Sequence, residues 1–279
     1  MRHHILLPTD FSDNSWSAIS YALKLYADEA CTFYFLHAWT FSNPSSRTYI
    51  TSSFVNIQQE EAKEKLAALK DKAQGERSNP EHEFETIFST QPLIRTIEKA
   101  LNDFPISLAI MGTKGATGAK EFIFGSNTVN VINKIRVCPV LVVPDAYTYV
   151  KPKQIAFPTD FNHFYGDELL PLMHLTKLHN AKIRVVHITE KDHLSEKQNY
   201  NLSMLKANLE DYPSSLEWRP NFGTKELIIK EFIQEFDINI VAMVNYKHSL
   251  IESILNEPVI QKIGYHPVIP FLVMPELNA

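Results

Sequence analysis

Residues 106–135 read ISLAIMGTKGATGAKEFIFGSNTVNVINKI. The run from Ile106 to Met111 is apolar enough to be a buried strand, and from Ser126 onward Val129, Ile132 and Ile135 recur at helical spacing. Between them the chain is rich in glycine. The protein has only eight glycines, and four of them (Gly112, Gly115, Gly118 and Gly125) fall within residues 112–125. Glycine is placed where the backbone needs positive φ or where a ligand must approach without a Cβ in the way. A strand, a glycine loop and a helix start bearing hydroxyls is the layout of an anion cradle, with backbone N–H groups and the positive end of a helix dipole facing the ligand together.

Outward from this unit the chain repeats itself. Ile5 to Phe11 reads ILLPTDF and Ile155 to Phe161 reads IAFPTDF, and the same offset of 150 residues places His37, in FYFLHAW, on His187, in IRVVHIT. Thr90 in TQPLIRTIEKAL then answers Thr224 in TKELIIKEFI, and Cys138 in CPVLVVP answers His266 in HPVIPFLVMP. Two landmarks in one register, followed by two with shrinking offsets, indicate a duplication whose second copy has lost loop residues. Two domains of ordinary size are expected, 1–147 and 151–279, joined where DAYTYVKPK loses apolar periodicity.

In the first copy the expected order is a strand at 4–7, a helix capped by Ser12, a strand at 32–39, a charged amphipathic helix over 56–73 ended by Gly75, and a strand at 84–88. A helix capped by Thr90, the strand 106–111, the helix after the glycine loop and a fifth strand at 140–143 complete it. The second copy repeats this sequence of elements from Gln154 to Val273. Alternation of this kind predicts an α/β fold: two tandem doubly wound, mostly parallel five-stranded sheets with helices on both faces.

Composition narrows the function. With 27 basic and 32 acidic residues the net charge is −5, and no basic run is present, so binding to nucleic acid or an anionic membrane is not expected. Cys31 and Cys138 lack disulfide or zinc spacing, and Cys138 reads as a small buried hydrophobe. His3 and His4 have no third ligand at usable spacing, so no metal site is expected there. Pro8 and Asp10 interrupt the N-terminal apolar stretch before signal-peptide length, and no uncharged apolar run reaches about eighteen residues. A cytoplasmic protein is expected.

A Walker A loop would need Gly-Lys-Ser/Thr, and none occurs; the dinucleotide fingerprint G-x-G-x-x-G is also absent, and the glycines follow the fourth strand rather than the first. What is present is G-x-x-G, nine residues, then G-S: Gly112, Gly115, Gly125 and Ser126. That spacing in that position, with Pro8-Thr9-Asp10 ending the first strand and Cys138-Pro139-Val140 opening the fifth, resembles the ATP-binding members of the universal stress protein family. The resemblance implies an adenine nucleotide alpha hydrolase-like fold. It also implies a site in which the backbone at Gly112 and Gly115 wraps the phosphates, while Gly125, Ser126, Asn127 and Thr128 supply N–H and hydroxyl donors. Asp10, with Pro8 and Thr9, would lie against the adenosine, Ala38 would line the adenine slot and Met111 would floor the pocket.

Plainer readings stand beside these. Asp10 could be only a turn residue or a partner of the Ser12 cap, but its place at a strand's carboxyl end beside the glycine loop favours a ligand. Ser126 and Thr128 suit a helix cap as well as an anion. Lys114 and Lys120 can reach a phosphate or be solvated, and His37 and His187 read as packed strand residues rather than catalysts.

The second copy departs from the pattern. After the strand ending at Val244 the chain runs NYKHSLIESILNEPVIQKIGYHP, without glycine until Gly264, so Asn245, Tyr246, Lys247 and His248 replace the cradle. One site per chain is expected, in the first domain, with Asp160 a structural strand end. The resemblance implies ATP as ligand, accompanied by Mg2+, and nucleotide-linked regulation in a stress response through an unidentified protein partner. It further implies that Val140–Val143 and Ile269–Val273 pair the two copies as an intrachain pseudo-dimer, with a homodimer left open. A slow ATPase or phosphotransferase, for which no activating side chain is visible, and a scaffold without nucleotide are the alternatives.

Overall fold

The computed structural model describes residues 2–40, 52–113, 125–189, 194–221, 223–246 and 269–276. The chain divides into two compact units, residues 1–138 and 139–279. In the first, β1 (His3–Pro8), α1 (Asp13–Leu25), β2 (Cys31–Ala38), α2 (Ser52–Glu76), β3 (His82–Ser89), α3 (Leu93–Asp103), β4 (Leu108–Gly112) and α4 (Ser126–Lys134) alternate. The strands lie in the order β3-β2-β1-β4, and every pair is parallel. Parallel strands are covered on both faces and therefore read as unbroken apolar runs; Ile5, Leu6 and Leu7, and Phe33, Phe35 and Leu36, are all fully buried. Chain direction from β1 reverses between the β2 and β4 sides, which opens a crevice at the carboxyl ends of those strands.

In the second unit, β5 (Val140–Val143) and β6 (Gln154–Pro158) are followed by a short 3-10 turn (Asp167–Leu169), α5 (Leu170–His179), β7 (Lys182–Thr189), α6 (Glu196–Asn208) and β8 (Ser214–Pro220). Then come α7 (Lys225–Glu235), β9 (Ile240–Asn245) and β10 (Phe271–Pro275). The order is β5-β10-β9-β6-β7-β8. All pairs are parallel except β5 with β10, where Val140, Leu141 and Val142 oppose Val273, Leu272 and Phe271. Compactness divides the chain between Cys138 and Pro139, a little before the boundary between the expected domains 1–147 and 151–279.

Local chemistry explains the helix starts. Ser12 caps α1, its hydroxyl accepting from Ser15 N at 3.2 Å. The Thr90 cap expected for α3 does not form: Pro92 is the N-cap residue, with no side-chain cap. The residue before a proline is driven out of the α region, so the helix cannot begin at Thr90. The second copy has no proline there, and Thr224 caps α7 through Leu227 N. Helix α2 starts four residues before the expected position and runs through Gly75 rather than ending at it. Its buried stripe is narrow, only Ala62, Leu66 and Ala73, and Lys72 lies over the Trp16 ring at 3.6 Å.

Candidate functional site

The Pro-Thr-Asp segment after β1 forms a tight hydrogen-bonded turn. Thr9 N donates to Leu36 O at 2.8 Å, Phe11 N donates to Thr9 Oγ1 at 3.0 Å, and Phe11 adopts φ 65°, unusual for a residue with a side chain. Two contacts offset that strain: the Phe11 ring packs on His37 with centroids 4.3 Å apart, and His37 Nδ1 donates to Thr9 O at 2.8 Å. Because a carbonyl only accepts, this bond puts the His37 proton on Nδ1. Asp10 Oδ1 accepts from Ser12 N at 3.1 Å and from the Ser12 hydroxyl at 2.5 Å. Its plainer role in the turn is therefore real, and it also lines the cleft described next.

Opposite this turn stands the end of β4. A Cβ on Gly112 would lie 2.8 Å from Asn14 Cγ and 3.0 Å from the Asn14 carbonyl oxygen, so α1 approaches β4 only because residue 112 is glycine. Thr128 Oγ1 donates to Gly112 O at 2.9 Å, and Gly125 N donates to Thr113 O, so the start of α4 is tied to the end of β4. Gly125 is the N-cap residue, and Val129 N is the donor that returns to Gly125 O at 3.0 Å. The N–H groups of residues 126–128 precede it and have no acceptor within the helix, which is the usual basis of anion binding at a helix N-terminus.

These elements enclose a cleft of about 250 Å³ lined by Pro8, Thr9, Asp10, Ser15, His37, Ala38, Thr40, Pro92, Leu93, Met111, Gly112, Asn127 and Thr128. Of the expected site residues, Pro8, Thr9, Asp10, Ala38, Met111, Gly112, Asn127 and Thr128 thus come together from four separated stretches of chain. Gly125 and Ser126 adjoin the cleft without lining it, and Gly115, Lys114 and Lys120 lie outside the described residues. The buried Thr128 hydroxyl donates to Gly112 O. Ser15, His37, Thr40, Pro92 and Leu93 were not anticipated. Helical spacing from the Ser12 cap was a signal for Ser15; Pro92 and Leu93 arrive only through the placement of α3.

The second unit keeps the turn and fills the space. Phe161 has φ 57°, its N donates to Thr159 Oγ1 at 3.0 Å, its ring stacks on His187, and His187 Nδ1 donates to Thr159 O at 2.8 Å. Asp160 Oδ1 accepts from Asn162 N at 2.9 Å. Ile5 pairs with Leu108 and Ile155 with Ile240, so Met111 corresponds to Met243 and Gly112 to Val244. With a side chain at 244, no helix starts where α1 would; residues 161–166 are irregular and α5 begins only at Leu170. Ser15 is matched by Tyr165, whose hydroxyl pairs with Thr159 Oγ1. Tyr246 follows β9, with its hydroxyl on Glu168 Oε1 at 2.7 Å and its ring stacked on His163 at 3.9 Å and 5°. Glu168 is buried, and its Oε2 accepts from Gly166 N at 3.0 Å. Burial, then the Glu168 carboxylate, pushes the Tyr246 phenol well above its usual range. Three amides of α6 fasten the loop: Gln198 to Asp160 O, Asn201 to Phe161 O and Asn208 to Tyr165 O.

Among the described residues no cluster of three His, Cys, Asp or Glu is placed to hold a metal, and no helix is long and apolar enough to cross a membrane.

Parallel sheets with helices on both faces, a duplicated Pro-Thr-Asp turn and a crevice at the strand ends define a tandem doubly wound α/β protein. The chain belongs to the universal stress protein family, whose sequence profile matches residues 1–144. It is 24% identical over 148 residues to universal stress protein YxiE of Bacillus subtilis, an alignment covering 51% of this chain and 99% of that protein. A universal stress protein from Archaeoglobus fulgidus superposes with a TM-score of 0.72 at 17% identity, covering 98% of both chains. A putative universal stress protein from Pseudomonas aeruginosa gives 0.55 at 14% identity, covering 98% of this chain and 93% of that one. The full-length matches extend the fold likeness over both units.

Proposed function

We propose that this protein binds ATP, accompanied by Mg2+, in the first-unit cleft, with one nucleotide per chain, and acts in a stress response by nucleotide-linked regulation of a partner. The carrying observation is convergence: residues from the ends of β1, β2 and β4 and from the start of α4 meet in one cleft. A doubly wound sheet binds ligands at that place, and a helix N-terminus there favours phosphate. The residues present suit the ligand. Met111, Ala38, Pro8, Pro92 and Leu93 offer apolar surface for a base, and the Gly112 backbone and the first turn of α4 offer approach and N–H donors for phosphates. Mg2+ would arrive with the nucleotide, since its charge offsets the phosphates. The single site is supported by Val244, which puts a side chain where the first unit has Gly112, and by Tyr165, which puts a bulky ring where it has Ser15. Pairing of the two copies through their last strands is supported by the register of β5 on β10.

The test is mass spectrometry of nucleotide released from denatured protein together with calorimetric titration of ATP and Mg2+. One adenine nucleotide per chain is expected; no binding, or two sites of similar affinity, overturns the reading.

A further inference from the structure

The hydroxyl groups at the turn after β1 have their protons assigned by their partners. Ser15 Oγ lies 2.8 Å from Ser12 O, an oxygen that can only accept, so Ser15 donates its proton there. Thr9 Oγ1 and Ser15 Oγ are 2.9 Å apart. With the Ser15 proton already donated, both bonds form only if Thr9 is the donor to Ser15. Thr9 Oγ1 in turn accepts from Phe11 N at 3.0 Å. Each oxygen then retains one lone pair and no proton for a ligand. Both side chains are buried, and both line the cleft. The Asp10 carboxylate beside them adds acceptors. This side of the cleft therefore suits a ligand group that brings its own O–H protons and repels one that carries only acceptor oxygens.

We infer that Thr9 and Ser15 are specificity-determining residues that recognise the sugar of the bound nucleotide through its hydroxyl protons, selecting a ribonucleotide over its deoxy counterparts. The inference rests on the nucleotide reading above and adds the groups that would tell one sugar from another, the acceptor lone pairs of Thr9 and Ser15. The second unit supplies an independent contrast. There the partner of Thr159 is the Tyr165 hydroxyl, and the buried phenol ring occupies the place of the small serine. A pair kept only to hold the turn would tolerate this exchange, as the second unit does; a pair that must also leave room for a sugar would not.

Isothermal titration of the full chain with ATP, 2′-deoxy-ATP and 3′-deoxy-ATP tests it. A missing sugar donor leaves a buried acceptor unpaired, so at least one deoxy analogue should bind about tenfold more weakly than ATP. Ser15→Ala removes one acceptor and frees the Thr9 proton, and should narrow that gap to about threefold or less, with far-UV circular dichroism confirming the fold. Binding of ATP with both deoxy analogues within about twofold of it overturns the inference while leaving the nucleotide reading intact. Discrimination that persists unchanged in a folded Ser15→Ala protein assigns it to other groups and also overturns the inference. Failure of ATP and both analogues to bind overturns the nucleotide reading itself, and with it this one.

Discussion

Replacing Gly112 by alanine tests the geometry on which the cleft depends. The new Cβ would stand 2.8 Å from Asn14 Cγ and 3.0 Å from the Asn14 carbonyl oxygen, with Asn14 Oδ1 in still closer contact. The amide is a side chain, but Asn14 is only 5% exposed and has little room to swing away. The carbonyl is backbone in the first turn of α1, so relief requires that turn to move away from β4. Overpacking of a buried contact costs on the order of 1–3 kcal/mol, and this site, with both side-chain and backbone obstacles, belongs near 2 kcal/mol. For a unit of this size that corresponds to a melting point lower by roughly 4–8 °C. The turn that moves carries Ser12 and Ser15, so ATP affinity should fall as well, by about tenfold if one ligand hydrogen bond is lost. Differential scanning calorimetry and titration calorimetry read the two effects. Asn14→Ala removes two of the three close atoms, so the double variant should show a coupling of about 1 kcal/mol in the direction of rescue. A Gly112→Ala protein that melts with the wild type, or one whose penalty is the same with and without Asn14, would refute the reasoning.

Three further outcomes follow from the same structure. Tyr246→Phe leaves the buried Glu168 carboxylate without its 2.7 Å hydroxyl donor and should destabilise the second unit by about 1–3 kcal/mol in urea denaturation, while ATP stoichiometry stays at one per chain; an unchanged midpoint contradicts the buried pairing. Burial lowers the His187 imidazole below its usual 6.5 in the folded state, against the opposing effect of its bond to Thr159. The unfolded chain thus takes up that proton first, so this contribution to stability is complete above pH 6.5 and is lost as pH falls below it toward the folded value. His187→Gln should flatten the corresponding part of a stability-versus-pH curve, and a slope unchanged by the substitution excludes His187 as its source. Both cysteines are buried, and burial raises both thiols, Cys138 to about 12; native protein should show no reaction with a disulfide reagent at pH 8, and two equivalents after denaturation.

Much of the fold is legible in the sequence, because parallel strands and covering helices write themselves as apolar runs and helical periodicity. The duplicated ILLPTDF and IAFPTDF segments also fold as expected: residues 9–11 and 159–161 form the same turn, down to the histidine that donates to each threonine carbonyl. The cleft was only partly legible. Motif residues near a strand end, such as Asp10 and Gly112, announced themselves, whereas Ser15, His37, Pro92 and Leu93 belong to it because of strand order and helix placement, which no local pattern encodes. Local signals also lost to neighbours: Thr90 looked like a cap until Pro92 forbade the helix from starting there.

The sequence by itself determined the two-copy α/β architecture, the position of the glycine loop after the fourth strand and its loss from the second copy. Those are properties of residue type and spacing along one chain. Tertiary structure decided what the residues do to one another. The registers of β4 on β1 and β9 on β6 equate Gly112 with Val244. They turn a missing loop glycine into a reason for the absent first helical turn and for the Tyr246 and Glu168 pair that fills the gap. The antiparallel register of β5 on β10 is likewise set by neighbours in space. The direction of the Thr9 and Ser15 protons depended on a carbonyl three residues away along α1. Hydrogen-bond direction and close approach are set by three-dimensional neighbours, so they cannot be read from spacing alone.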